Sequence, residues 1–231
     1  MKISKFVAGA ALLAACGSAA ADGFRGNVGA VSEYLFRGVE SSQGAAVQGE
    51  VYYAWDLGFY AGVWMTNARS ASNKADLYAG YEGKFGDFTL GAGGVYRYYS
   101  EDQEHGTLNP LGKQTDFPEL FLTGSVGPAS LTVYYSNDYF HTSEAATYIT
   151  GDVSLPLNDT LSVIGQAGFN SGDGVKIMRG EEYTDYSLTL EKKLEKDITV
   201  NFQIADTDRQ FASGLNDDPK FVVGFRKDFA L

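Results

Sequence analysis

The chain holds two histidines, His105 and His141, and one cysteine, Cys16, far apart in sequence. A zinc centre needs clustered His or Cys ligands, so that chemistry has no ligand set here. His141-Thr142-Ser143 is the one arrangement that could do covalent work. On an extended strand a His and a Ser two apart share a face, which is how an ester-cleaving pair begins. Such a pair needs a third polar group to orient the imidazole. The candidate, Asn158, falls in a predicted turn at the other end of its strand, so His141 and Ser143 read as part of a solvated loop. Glu181-Glu182 and Asp217-Asp218 also sit in polar connections without calcium-loop spacing, and read as loop solvation. No cofactor and no enzymatic step is expected; outer-membrane phospholipid hydrolysis is the minor alternative.

The charges that carry information lie within segments of alternating character. Phe221 to Phe229 is the clearest: Phe221, Val223, Phe225 and Phe229 fall on one face, and Val222, Gly224, Arg226 and Asp228 on the other. Period-two alternation means a strand with different surroundings on its two sides. Twelve such segments can be read along the chain. The first runs from Phe24 to about Arg37, with Phe24, Val28, Ala30, Tyr34 and Phe36 opposite Arg25, Asn27, Glu33 and Arg37. Across all twelve, one face carries Arg25, Glu33, Arg37, Glu50, Asp76, Glu82, Arg97, Glu119, Asp152, Asp185, Glu191, Arg226 and Asp228. Acidic groups outnumber basic ones there nine to four, which favours cations or neutral solutes if that face lines water. Inward Tyr52, Tyr60, Tyr78 and Tyr148, together with Arg–carboxylate pairs, support the opposite expectation of a filled interior.

The elements that position these residues are short strands joined by connections of alternating length. Asp56-Leu57-Gly58, Phe85-Gly86-Asp87, Gly127-Pro128, Pro156 to Asp159 and Lys193 to Asp197 are tight. Gly38 to Gly44, Asn67 to Lys74, Ser100 to Thr115, Tyr139 to Ala145, Asn170 to Glu182 and Thr207 to Pro219 are long and polar. An up-and-down barrel in an asymmetric membrane has this parity, with short periplasmic turns and longer external loops. Aromatics crowd the strand ends: Trp55, Phe59, Tyr81, Phe88 and Phe229 at the periplasmic rim, and Tyr34, Phe36, Tyr96, Tyr98, Tyr135 and Phe169 at the outer one. A soluble β-sandwich or lipocalin-like barrel would alternate too, but with its apolar face inward.

Composition agrees. Fifteen Tyr, fifteen Phe and 28 Gly in 231 residues suit strands that bend. Lys2 and Lys5, the apolar run Phe6 to Ala15 and Ala19-Ala20-Ala21 make residues 1–21 a secretory signal peptide. Leu13-Ala14-Ala15-Cys16 also fits a lipoprotein box, in which Cys16 would be acylated. Residues 22–231 form the barrel domain, with a net charge of −13 once the two leader lysines are gone. That acidity leaves no basic patch for nucleic acid.

Ser32-Glu33-Tyr34-Leu35-Phe36-Arg37-Gly38 resembles the S-x-Y-x-F-R-G signature of the TorF-family porins, which are Gcw_chp-type outer-membrane proteins. Gly58-Phe59-Tyr60-Ala61-Gly62-Val63-Trp64 and Asp76-Leu77-Tyr78-Ala79-Gly80-Tyr81-Glu82, followed by Gly86-Asp87-Phe88, resemble that family's next two blocks. The resemblance implies a bacterial outer-membrane location, reached through the periplasm, and a pore, but no substrate.

The sequence therefore predicts an all-β, closed, up-and-down antiparallel transmembrane β-barrel of about twelve strands. Its expected partners are outer-membrane lipid, the barrel-insertion machinery and small hydrophilic solutes that diffuse passively through it with a mild preference for cations. A plugged barrel acting through its external loops is the alternative. Nothing in the sequence speaks to oligomeric state.

Overall fold

The computed structural model describes residues 22–68, 72–100, 110–195, 197–209 and 218–230. The predicted leader, including Cys16, and His105 lie outside the described residues.

Twelve antiparallel strands close into one barrel. The first barrel strand, β1 (Gly23–Val31), is followed by a two-stranded hairpin, β2 (Leu35–Phe36) and β3 (Val39–Glu40), that is not part of the wall. The wall continues with β4 (Ala46–Ala54), β5 (Phe59–Asn67), β6 (Asn73–Phe85), β7 (Phe88–Tyr99), β8 (Phe117–Val126) and β9 (Ala129–Ser136). It is completed by β10 (Ala146–Pro156), β11 (Leu161–Ser171), β12 (Tyr183–Glu195), β13 (Ile198–Thr207) and β14 (Lys220–Ala230). A 3₁₀ turn, Tyr139–His141, and a short helix, α1 (Asp173–Arg179), lie in two of the long connections. Each wall strand pairs with its sequence neighbour in the wall, and β1 pairs with β14 from Arg25↔Ala230 to Val31↔Gly224. Closure leaves no open edge.

The alternation decides which face is which. Val47, Leu77, Leu120, Leu122, Leu188, Phe221 and Phe225 are exposed on the outside, whereas Glu50, Asp76, Arg97, Glu119 and Asp185 are buried inside. A greasy outer surface around a polar interior is the reverse of a water-soluble barrel and matches one that meets hydrocarbon. Trp55, Phe59, Tyr81 and Phe88 are exposed at the tight-turn end, and Tyr96, Tyr98, Tyr135 and Phe169 at the long-loop end, as expected of two aromatic girdles. Tight turns and long connections alternate throughout.

The first long connection corrects the sequence reading. Strand β1 stops at Val31 and does not reach Arg37. Tyr34 and Phe36, expected on the lipid side of the outer rim, are buried inside with Leu35 and Arg37. The chain reverses at Arg37-Gly38 between the paired residues Phe36 and Val39. Both turn residues have positive φ, 53° and 77°, the type I′ geometry that lets a two-residue loop follow the strand twist. Gly38 fits because an added Cβ would stand 2.6 Å from Asp185 and from Thr207. The alternation of this stretch is real, but it belongs to a hairpin folded into the barrel. Residues 38–44, expected as an external loop, are its return arm. Lys74 is a second correction: it lies within β6, where it is almost wholly buried, and not in a loop.

Candidate functional site: the filled half of the lumen

The inward faces of β6, β7 and β8 and the tip of the in-folded hairpin build one continuous ladder of charge. Lys74 and Asp76 are two apart on β6 and so share its inner face. Lys74 Nζ lies 2.6 Å from Asp76 Oδ2. Arg97 on β7 sits directly opposite Asp76 in register and donates to the same oxygen at 2.5 Å. Glu119 on β8, diagonal to Arg97, accepts from Arg97 Nε at 2.7 Å. Its other oxygen accepts from Arg37 Nη2 at 2.6 Å. The five side chains are between 0% and 5% exposed.

Charges so deeply buried persist only when paired and hydrogen-bonded. Three cations alternate with two carboxylates, and aromatic faces accommodate the surplus positive charge. The Arg37 guanidinium lies 4.4 Å from the Tyr148 ring centroid and 4.9 Å from that of Phe36. Lys74 Nζ lies 4.8 Å from the Trp64 ring and 5.2 Å from Phe36. Phe36 thus touches both ends of the ladder and ties the hairpin to the wall. On the far side the Tyr183 hydroxyl donates to the Arg37 carbonyl at 3.1 Å.

Two smaller polar networks flank the ladder. Asp185 on β12 accepts from Tyr148 Oη at 3.1 Å, Gln166 Nε2 at 3.0 Å and Asn170 Nδ2 at 3.0 Å. Glu50 on β4 accepts from Asn27 Nδ2 at 2.9 Å and Tyr78 Oη at 2.6 Å. The hydrogen-bond partners of both carboxylates are neutral. Beyond the hairpin, toward the external loops, Phe36, Phe117, Tyr139, Phe140, Val175 and Tyr183 pack into one apolar cluster. Tyr52, Tyr60, Tyr78, Phe121, Tyr134 and Tyr148 line a second stretch of the interior.

The opposite wall is different. On β1 the inward position Gly29 carries no side chain and lines a cavity of about 50 Å³. Asn27, Gln48, Trp64, Glu191, Thr199, Asn201 and Arg226 contribute to its lining. Arg226 donates to both oxygens of Asp228, at 2.9 and 3.3 Å.

The predicted inward residues therefore fall into groups. Arg37, Asp76, Arg97 and Glu119 come together in the ladder, while Glu50 and Asp185 anchor separate networks. Arg226 and Asp228 pair on the opposite wall. Asp152, half-buried, accepts from Ser130 Oγ at 2.5 Å. Arg25, Glu33 and Glu82 are half-buried and outside the ladder. Lys74 was missed as a site residue. Extending the β6 alternation back by one step from Asp76 would have found it.

The ester-cleaving arrangement is not assembled. His141 Nδ1 lies 3.1 Å from Asp138 and Nε2 3.3 Å from Asp116. Ser143 Oγ instead accepts from Lys113 Nζ at 3.1 Å. Asn158 caps its own turn through Thr160 in the tight connection after β10.

Comparison with solved structures finds outer-membrane channels. A structure titled KdgM porin is 14% identical, covers 89% of this chain and 99% of its own, and superposes with a TM-score of 0.60. The NanC porin is 14% identical over 90% of this chain and 100% of its own, with a TM-score of 0.59. The COG4313 outer membrane channel from Pseudomonas putida F1 is 12% identical over 92% of this chain and 96% of its own, with a TM-score of 0.54. At these identities the likeness is one of fold. No curated protein matches the sequence. A family model described as "Bacterial protein of unknown function (Gcw_chp)" matches residues 15–224.

Proposed function

The chain belongs to this Gcw_chp family, whose members come without an assigned activity, and from that premise we propose that it is an outer-membrane channel for passive diffusion of small hydrophilic solutes. The observation that carries this reading is the asymmetry of the interior. The charge ladder lies on the β6–β8 side, with the hairpin tip reaching across to β12 and β13, while a polar cavity remains along the wall of β1, β4, β5, β12, β13 and β14. A path along that wall needs no covalent chemistry; its width and charge do the filtering. Arg25, Glu33, Glu50, Glu82, Asp152, Asp185, Arg226 and Asp228 would line or flank it, with Arg37, Asp76, Arg97 and Glu119 setting its far side. A mild cation preference follows from Glu50 and Asp185, whose hydrogen-bond partners are neutral. One solved structure of similar fold is a KdgM porin in complex with disordered oligogalacturonate. That polyanion is a poor fit here, because every guanidinium of the ladder already has a carboxylate. Export with loss of residues 1–21, insertion by the barrel-insertion machinery and a lipid-facing outer belt complete the proposal, and the TorF-like motif agrees with it.

The experiment is single-channel recording of refolded protein in planar bilayers, where discrete conductance steps with a reversal potential on the cation side are expected. A second reading, a plugged barrel acting through its external loops, is favoured by the apolar cluster at the outer end of the lumen. It predicts silent bilayers.

A further inference from the structure

Glu191 on β12 is the one inward carboxylate of the polar cavity with no hydrogen bond to a described residue. It is 4% exposed and contributes to the cavity lining. Three charges act on it through space: the cations Arg226 across the cavity and Lys193 two residues along its own strand, and the carboxylate Asp228. Arg226 is already held by both oxygens of Asp228. Apart from Arg226, the cavity around Glu191 is neutral, with Val31 and Phe225 among its polar lining. Asn201 is its cross-strand partner on β13. Gln48, Asn27 and Thr199 add two carboxamides and a hydroxyl, and Trp64 adds an indole.

A buried carboxylate without a hydrogen bond is costly unless a donor or a proton satisfies it. The amides and hydroxyl supply acceptors as well as donors, so they can meet the remaining hydrogens of a small charged donor group. The cavity volume suits such a group and not a whole saccharide ring. We propose that this cavity is a binding site for the ammonium group of a small hydrophilic amine, with Glu191 as its counter-ion and Gln48, Asn201 and Thr199 as its hydrogen-bonding wall. The proposal rests on the diffusion reading for its purpose but not for its test.

The test uses refolded protein carrying Trp55→Phe, so that Trp64 is the sole indole, in detergent micelles. Ethanolamine is titrated while tryptophan emission is followed, with glycerol as a neutral solute of similar size and propionate as an anion. Saturable change with ethanolamine alone is expected, and Glu191→Gln should weaken it about tenfold or more, the size of one charge-assisted hydrogen bond. Glu191→Asp should restore part of the loss, and unchanged heat-modifiability on gels would show that both variants are folded. No saturable response, an equal response to glycerol, or full binding by Glu191→Gln would each overturn the site. Bilayer recording of the same samples separates the two readings. Amine binding through Glu191 in a silent barrel would sink the channel and leave the site standing; conductance without amine binding would do the reverse.

Discussion

Removing the carboxylate at position 119 should release the hairpin before it unfolds the barrel. Glu119 is the only acidic group that the ladder offers to Arg37, at 2.6 Å. Arg97 would keep Asp76 at 2.5 Å. Glu119→Leu thus strands one buried guanidinium, and removing one member of a buried pair costs about 3–5 kcal/mol. The hairpin is held inside mainly by Leu35 and Phe36, both buried, each contributing about 1.5–3 kcal/mol. The two terms are of the same size, so swinging the hairpin outward, where Arg37 regains water, competes with global unfolding. Limited proteolysis of refolded Glu119→Leu should cut within residues 33–43, which the wild type should resist. Urea unfolding in lipid vesicles should show a loss of about 3 kcal/mol or more. Arg37→Met combined with Glu119→Leu removes the stranded charge and keeps the volume, so it should recover at least about 2 kcal/mol of that loss. A single variant within about 1 kcal/mol of wild type, or a double variant no better than the single, would refute the claim that the pair holds the hairpin.

Further outcomes can be checked on the same refolded protein. Val133→Arg puts a charge on the lipid face of β9 and should cost about 2–4 kcal/mol in vesicle unfolding, falling toward zero in urea-solubilised controls. Gly38→Val forces a β-branched residue to φ +77° and drives its Cβ against Asp185 and Thr207. It should cost at least about 1–3 kcal/mol in the same assay, with protease sensitivity at the hairpin as the local readout. Replacing residues 33–43 by a short Gly-Ser link should raise unitary conductance. Unchanged conductance in that variant would place the constriction elsewhere.

The wall of this barrel was legible in the sequence because lipid, water and strand geometry impose one rule on every segment. Leu120, Leu122 and Phe225 could be placed outside, and Glu119, Asp185 and Arg226 inside, from the alternation once the leader, the connection parity and the aromatic rims had set which face meets lipid. What could not be read is where alternation stops meaning wall. Tyr34, Phe36 and Arg37 keep the period of β1, yet the Arg37-Gly38 turn redirects them inward. A two-residue I′ turn usually announces itself with Asn-Gly or Asp-Gly, and an arginine at positive φ gives no such signal. Lys74 was hidden for a different reason: a lysine beside polar loop residues reads as solvated unless its partner across the strand is known. Pairing between Arg97 and Asp76 is a matter of register, which sequence leaves open.

The division of the interior follows from where the chain places glycine and where it places arginine. A barrel of this size has more interior than its wall side chains fill, and fewer than a wide pore would leave empty. On the β6–β8 side the inward residues are long and charged, so they can stay buried only by building a closed ion-pair lattice, and that lattice draws in Arg37 as its last member. The hairpin then completes the packing with rings that also shield the cations. On the β14–β1 side Gly29 lies beside Asn27 and the Arg226–Asp228 pair, no extended lattice forms, and the space stays polar. In the diffusion reading proposed above, the hairpin and ladder leave a solute the space beside Glu191 and Arg226.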